Sequence, residues 1–152
     1  MEIHPIGTIR TQYTEAKETP IQPAFAENSL LAVAELDEAY SAGRESLEKF
    51  THAIVIFWFH QARKPKLTQK PFMDDQEYGI FAIRSPHRPN PIGISIVEIV
   101  KIEDHRLYFN HADMLDETPL LDIKPFIPEF DNRLQAGMGW LEGKLAQHNK
   151  TL

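Results

Sequence analysis

The run Arg84-Ser85-Pro86-His87-Arg88-Pro89-Asn90-Pro91 sets two guanidiniums, a hydroxyl, an imidazole and a carboxamide among three prolines. Each proline fixes its own φ and lacks an N–H donor. The residues before them, Ser85, Arg88 and Asn90, are pushed toward extended backbone. The segment therefore cannot be helical and can hold few ladder hydrogen bonds. Apolar runs flank it, Gly79 to Ile83 before and Ile92 to Val100 after, so it reads as a rigid loop between two strands. A stiff loop loses little entropy on meeting a ligand, which suits a binding role for Arg84, Ser85, His87, Arg88 and Asn90. A rigid connector with incidental charges fits the same residues.

Asp122 and Lys124 alternate around Ile123, so a strand here would point both to one face. The two charges could form a local ion pair, or could bind the ammonium and carboxylate of an amino-acid moiety. Upstream, Asp113 and Asp116 are placed to cap the turn at Glu117-Thr118. His60-Gln61 ends an apolar run that begins at His52. Strand ends often carry function, so this pair could face a ligand or could be satisfied by nearby backbone. Residues 60–70 hold Arg63, Lys64, Lys66 and Lys70 and no acid. Such a patch could steer a polyanion even on an acidic protein, and a solvated loop has the same composition.

Several chemistries are excluded. No G-x-G-x-x-G follows a strand and no G-x-x-x-x-G-K-[ST] occurs, so a nucleotide-derived cofactor would need another kind of holder. The seven histidines are scattered and H-E-x-x-H is absent, so no metal site is expected. Without cysteine there are no disulfides, thiolate nucleophiles or cysteine metal ligands. Met1 to Pro5 has no basic stretch followed by an apolar core, and no run of about 20 apolar residues could span a bilayer. A cytoplasmic protein with no membrane contact is expected. The net charge of −6, from 16 basic and 22 acidic side chains, argues against nonspecific coating of nucleic acid, which runs on counterion release by Lys and Arg.

These residues need a scaffold, and 152 residues of which 42% are apolar suffice for one domain with one core. Strands are expected at Ile3 to Thr11, Ser29 to Leu36, His52 to His60, Ile80 to Ile83, Ile92 to Ile102, Arg106 to Asn110 and Pro119 to Ile123. The His52 run is apolar nearly throughout, so both its faces should be covered. Ile92 to Ile102 should pair with Arg106 to Asn110 across a turn at Glu103-Asp104-His105. Asp37 to Lys49 reads as helical or turn-rich, interrupted by Gly43. Lys124 to Asp131 reads as a loop, and Gln135 to His148 as a terminal helix burying Met138, Leu141 and Leu145. Strands that do not alternate with long helices disfavour a doubly wound sheet. The expected fold is mainly β: a small antiparallel β-barrel with a few short helices and a C-terminal helix.

Four segments together resemble one family. They are Arg84 to Gly93 (Arg-Ser-Pro-His-Arg-Pro-Asn-Pro-Ile-Gly), Phe50-Thr51-His52 with the strand ending in His60-Gln61, Asp116 to Pro128, and Ile6-Gly7-Thr8-Ile9-Arg10. They are similar to the TsaA-like / TrmO family, over most of the chain. The resemblance implies a β-barrel that binds S-adenosylmethionine without a Rossmann fold. It also implies a homodimer with the cofactor near the subunit interface, and methylation of N6 of N6-threonylcarbamoyladenosine beside the anticodon of tRNA.

Carried over position by position, the resemblance implies cofactor contacts from Pro23, Ala24 and Phe25, from His60 and Gln61, from Arg84, Ser85 and Pro86, from Ile96, and from Asp122, Ile123, Lys124 and Pro125. His60 is the candidate base, and Arg63, Lys64, Lys66 and Arg88 the candidate tRNA contacts. Residues 1–152 would be a single TsaA-like domain, without the extra C-terminal domain of longer members. Two positions depart from the family pattern: Ile21 stands where an Arg is common, and Glu117 where a Gly is usual. If the backbone there needs φ > 0, Glu117 costs about 1 kcal/mol; otherwise the turn differs. Two other readings remain open, a regulatory module that binds S-adenosylmethionine and a methyltransferase of a small non-RNA substrate.

Overall fold

Apolar residues at every second position bury one face of a strand, and this pattern recurs along the chain. The structure, a computed structural model, describes residues 2–26 and 31–145. It places β1 at Gly7–Arg10, β2 at Ala32–Leu36, β3 at His52–Trp58, β4 at Thr68–Gln69, β5 at Tyr78–Gly79, β6 at Ile92–Glu103, β7 at Arg106–Asn110 and β8 at Thr118–Pro125. Six of these pair antiparallel in the order β1-β2-β7-β6-β3-β8, and β8 returns to β1 to close a barrel. Closure leaves the barrel no unpaired edge. The expected fold class is the observed one.

Ile9, Ala34, Val55, Phe57, Val97, Leu107, Phe109 and Leu120 fill the interior, each at most 2% exposed. Burying a large apolar side chain stabilises by about 1.5–3 kcal/mol. Rings stand opposite small residues: Phe109 is registered with Ala32 and Phe57 with Gly93. A Cβ at Gly93 would lie 2.3 Å from Phe57 Cε2, so the ring takes the space that a side chain would need.

Several expectations need correction. β3 is not covered on both faces: Ala53, Val55 and Phe57 are buried, while Ile54, Ile56 and Trp58 alternate with them on the barrel's outer side, half-buried. The strand expected over Ile80 to Ile83 is a 3-10 turn, Ile80–Ala82, after the short β5. Residues three apart eclipse in that geometry, which buries Ile80 and Ile83 together and leaves Phe81 79% exposed. The helix expected from Gln135 is absent from residues 135–143, which hold a 3-10 turn at Gly139–Leu141. Gly139 and Gly143 sit at φ +58° and +77°, outside right-handed helix geometry. Met138 is consequently 51% exposed. Helical backbone starts at residues 144–145, and residues 146–148 lie outside the described residues.

Smaller differences concern boundaries. β1 and β2 are shorter than expected, and Ser29 and Leu30 lie outside the described residues. Asp37 to Lys49 forms 3-10 turns at Glu38–Arg44, through Gly43, and at Leu47–Lys49. β8 runs on to Pro125, and α1 follows at Pro128–Asp131. The β6–β7 hairpin turns where expected, with Asp104 at φ +49°.

The chain divides into two compact units. The barrel unit holds the described residues up to Ala62 together with Asn90–Phe126; the second holds Arg63–Pro89 with the described residues from Ile127 on. In the second, β4 and β5 form a two-stranded ribbon. Trp140 stacks on Tyr78 at 4.8 Å between ring centroids, and Asp74 accepts the Tyr78 hydroxyl at 2.6 Å and pairs with Lys144. No helix among the described residues is long and apolar enough to cross a membrane.

Candidate functional site

Three of the expected cofactor-binding residues share the barrel's outer face. β3 lies between β6 and β8, so Ile96, Ile54 and Lys124 form one row across the strands and Ile94, Ile56 and Asp122 the next. Lys124 Nζ lies 2.6 Å from Asp122 Oδ2, with both side chains substantially exposed. A bulge in β8 produces this arrangement. Ile56 faces Asp122 but Phe57 faces Leu120, so Leu121 is an extra residue. Thr118 and Leu120 are buried, and unbroken alternation would send Asp122 and Lys124 inward after them. The extra residue shifts the phase by one. Both charges then emerge outside, Ile123 packs against the core, and Pro125 stands opposite buried Ala53. The same outer face exposes Ile92, Ile94 and Ile96 on β6.

His60 and Gln61 lie in the turn just beyond β3, where Ala62 N–H donates to Phe59 O and Phe59 N–H donates to Pro91 O. His60 is exposed. Its Nδ1 lies 3.4 Å from Thr118 Oγ1, and its Nε2 lies 3.5 Å from Gln61 Nε2. Thr118 donates its hydroxyl proton to Leu115 O at 2.7 Å, so toward His60 it can only accept. That favours the Nδ1–H tautomer, in which the Nε2 lone pair accepts from the Gln61 carboxamide NH2.

Pro23, Ala24 and Phe25 form a 3-10 turn beside β6, with Ala24 exposed and the other two half-buried. Arg84, Ser85 and Pro86 belong to the second unit. Arg84 is exposed. Ser85 is 9% exposed; its hydroxyl donates to Gln69 Oε1 at 2.8 Å and accepts the His87 N–H at 3.2 Å. The proline loop also braces the basic segment: Arg63 N–H donates to His87 Nδ1 and Lys66 N–H to His87 O. Arg63, Lys64 and Lys66 are exposed, whereas Arg88 is half-buried with Nη1 donating to Ile80 O and Ile83 O. The residues inferred from sequence thus fall into an outer-face set, a turn beyond β3, a turn beside β6, and a braced loop in the second unit. Among the described residues no group of three or more His, Asp or Glu is placed to hold a metal.

Sequence reasoning missed Thr118 as the partner of His60. Asp113, expected with Asp116 to cap the turn at Glu117-Thr118, accepts the hydroxyl of buried Ser95. Thr118 and Asp113 lie in the polar run that was read as turn chemistry, where strand pairing alone brings distant residues together. Asp116, expected to cap the turn at Glu117-Thr118, accepts the Thr11 N–H at 3.1 Å.

The model of the tRNA-methyltransferase O N-terminal domain family matches residues 8–132. A Pyrococcus abyssi protein named "Probable S-adenosyl-L-methionine-binding protein" is 44% identical over 91% of this chain and 74% of its own length. The mouse tRNA (adenine(37)-N6)-methyltransferase is 34% identical over 84% of this chain and 31% of its own. The crystal structure of TrmO from Pseudomonas aeruginosa matches with a TM-score of 0.78 and 36% identity, over 91% of this chain and 61% of that one. The chain thus spans under two thirds of the length of the last two.

Proposed function

The chain belongs to the tRNA-methyltransferase O family, and on that premise we propose that it is an S-adenosylmethionine-dependent methyltransferase acting on N6 of N6-threonylcarbamoyladenosine beside the anticodon of tRNA. The observation that carries this reading is the family match over residues 8–132, within which the proline loop and the Asp122–Lys124 pair both stand. The names of the relatives support the cofactor and the substrate class. The same match supports reading the chain as one TsaA-like domain, and a tRNA substrate implies a cytoplasmic location.

The residues present suit the cofactor. The adjacent Asp122 carboxylate and Lys124 ammonium complement the two charges of an amino-acid end, and Ile54, Ile56 and Ile96 offer apolar surface in the same rows. We assign the ammonium to Asp122 and the carboxylate to Lys124. In the barrel unit we also assign the Pro23–Phe25 turn and Gln61 to the cofactor, with Ile123 and Pro125 on the strand that carries the pair; Arg84, Ser85 and Pro86 of the second unit are assigned to it on the family match alone. When bound, S-adenosylmethionine supplies an electrophilic methyl on a sulfonium sulfur. In threonylcarbamoyladenosine the N6 lone pair is delocalised into a urea-like group, so loss of its proton assists attack. His60 accepts that proton at Nε2, with Thr118 holding Nδ1–H.

The exposed isoleucines of β6, at 37% to 58%, support a homodimer, since a contiguous apolar face on a soluble protein is usually covered. A second copy on this face would put the Asp122–Lys124 pair near the subunit interface. Ile94→Glu should then halve the sedimentation mass. We assign Arg63, Lys64, Lys66 and Arg88 to tRNA phosphates.

The test incubates the protein with labelled S-adenosylmethionine and total tRNA from cells lacking the gene, followed by digestion to nucleosides. Labelled N6-methylated threonylcarbamoyladenosine is expected. Intact cofactor binding with no label in RNA would overturn the reading and leave a regulatory module or a small-molecule methyltransferase.

A further inference from the structure

Phe81 is 79% exposed, yet the turn that carries it is fixed on every side. Its neighbours Ile80 and Ile83 are buried to 1% and 7%. Both of their carbonyls accept Arg88 Nη1, at 3.0 and 2.7 Å. The carbonyl of Ala82 accepts Trp140 Nε1–H at 2.7 Å. A rigid turn thus presents to solvent a phenyl ring that contributes little burial to the fold. The Arg88 guanidinium lies over one face of that ring, 5.8 Å from its centroid. The contiguous segment 63–89 carries six Lys and Arg against three acids, in a chain of net charge −6. A ring carried on a held backbone, backed by a cation and set in a locally basic segment complements an unstacked base on a polyanion.

We propose that Phe81, backed by Arg88, is a stacking surface for an unpaired base of the RNA substrate. The inference rests on the RNA-modifying reading above and adds to it the residue that grips a base rather than a phosphate. Single-stranded RNA is commonly held by bases stacked on aromatic rings, and an arginine on the ring adds a cation–π contribution. A turn whose backbone is already held also loses little entropy when a base settles on its ring.

The experiment compares wild type with Phe81→Leu, Phe81→Tyr and Phe81→Trp, using a fluorescent anticodon stem-loop RNA and anisotropy, with sedimentation mass and S-adenosylmethionine affinity measured alongside. Phe81→Leu keeps the apolar bulk and removes the ring, so it should weaken RNA binding roughly fivefold to a hundredfold with mass and cofactor affinity unchanged. Phe81→Tyr should bind as wild type does. The added fluorescence of Phe81→Trp should be quenched by the RNA and not by inorganic polyphosphate. Wild-type affinity in Phe81→Leu would overturn the inference and leave the RNA reading intact. A changed sedimentation mass would assign Phe81 to a contact between copies instead. Absence of RNA binding by the wild type would overturn both readings.

Discussion

Lys124 and Asp122 hold each other at 2.6 Å on a barrel face that the core does not use. An exposed pair of this kind is worth about 0–1 kcal/mol to folding. Asp122→Ala should therefore shift the melting temperature by no more than about 4 °C. Loss of a charge-assisted hydrogen bond to the cofactor should weaken S-adenosylmethionine binding by about tenfold or more. Calorimetry beside a thermal melt separates the two effects: normal affinity would remove Asp122 from the site, and a collapsed melt would give it to the barrel.

Gly93 closes the proline-rich signature for a packing reason. The Phe57 ring fills the space of its missing side chain, so Gly93→Ala overpacks the interior at a cost of about 1–3 kcal/mol. A lowered urea midpoint with an unchanged slope is expected. The double variant Gly93→Ala with Phe57→Leu should lose less than the two single changes combined. Strict additivity would mean that the two positions do not share this space.

Glu117 occupies the left-handed region at φ +60°, so of the two alternatives at this turn the structure shows the strained one. The strain is about 1 kcal/mol, offset in part by the exposed ion pair with Arg10 at 3.0 Å. Glu117→Gly should leave stability unchanged or raise it by up to about 1 kcal/mol, read from the urea midpoint. A clear loss would show that the Arg10 pair outweighs the strain.

Much of the barrel was legible because its signals are local. Long apolar, β-branched runs marked β3 and β6, and a short polar turn marked the β6–β7 hairpin. The alternation of Asp122 and Lys124 correctly put both on one face. Which face was not legible, because the extra residue Leu121 is visible only in the register with β3. The misread segments failed for backbone reasons. Ile80 and Ile83 satisfy a three-residue spacing that resembles a short apolar strand. Gly139 and Gly143 break a helix that the apolar spacing favoured. Contacts such as Thr118 with His60 depend on β8 reaching β3, which no local pattern encodes.

Acid should loosen the second unit. The Lys144 ammonium, and after it the Tyr78 hydroxyl, hold the Asp74 carboxyl well below the usual carboxylate range. A carboxylate depressed on folding contributes stability that is fully present above its unfolded value, near about 4. That contribution is lost as pH falls toward the folded value. Trp140, stacked on Tyr78, reports the change. In a Trp58→Phe background its fluorescence should shift below about pH 4, and Asp74→Asn should show the shifted spectrum already at neutral pH. A spectrum unchanged by either treatment would refute this role for the carboxylate.

Closure of the barrel joins residues 7–9 to residues 118–120, and this sets the timetable of synthesis. At roughly 5–20 residues per second, β1 leaves the ribosome some seconds ahead of β8. Until then β1 has only β2 on one side, and β3 has only β6. The nascent chain therefore waits as an open sheet with two raw edges, and its last step is a long-range ring closure of high contact order. Any factor that shields those edges during translation would raise the yield of native protein without touching the finished molecule.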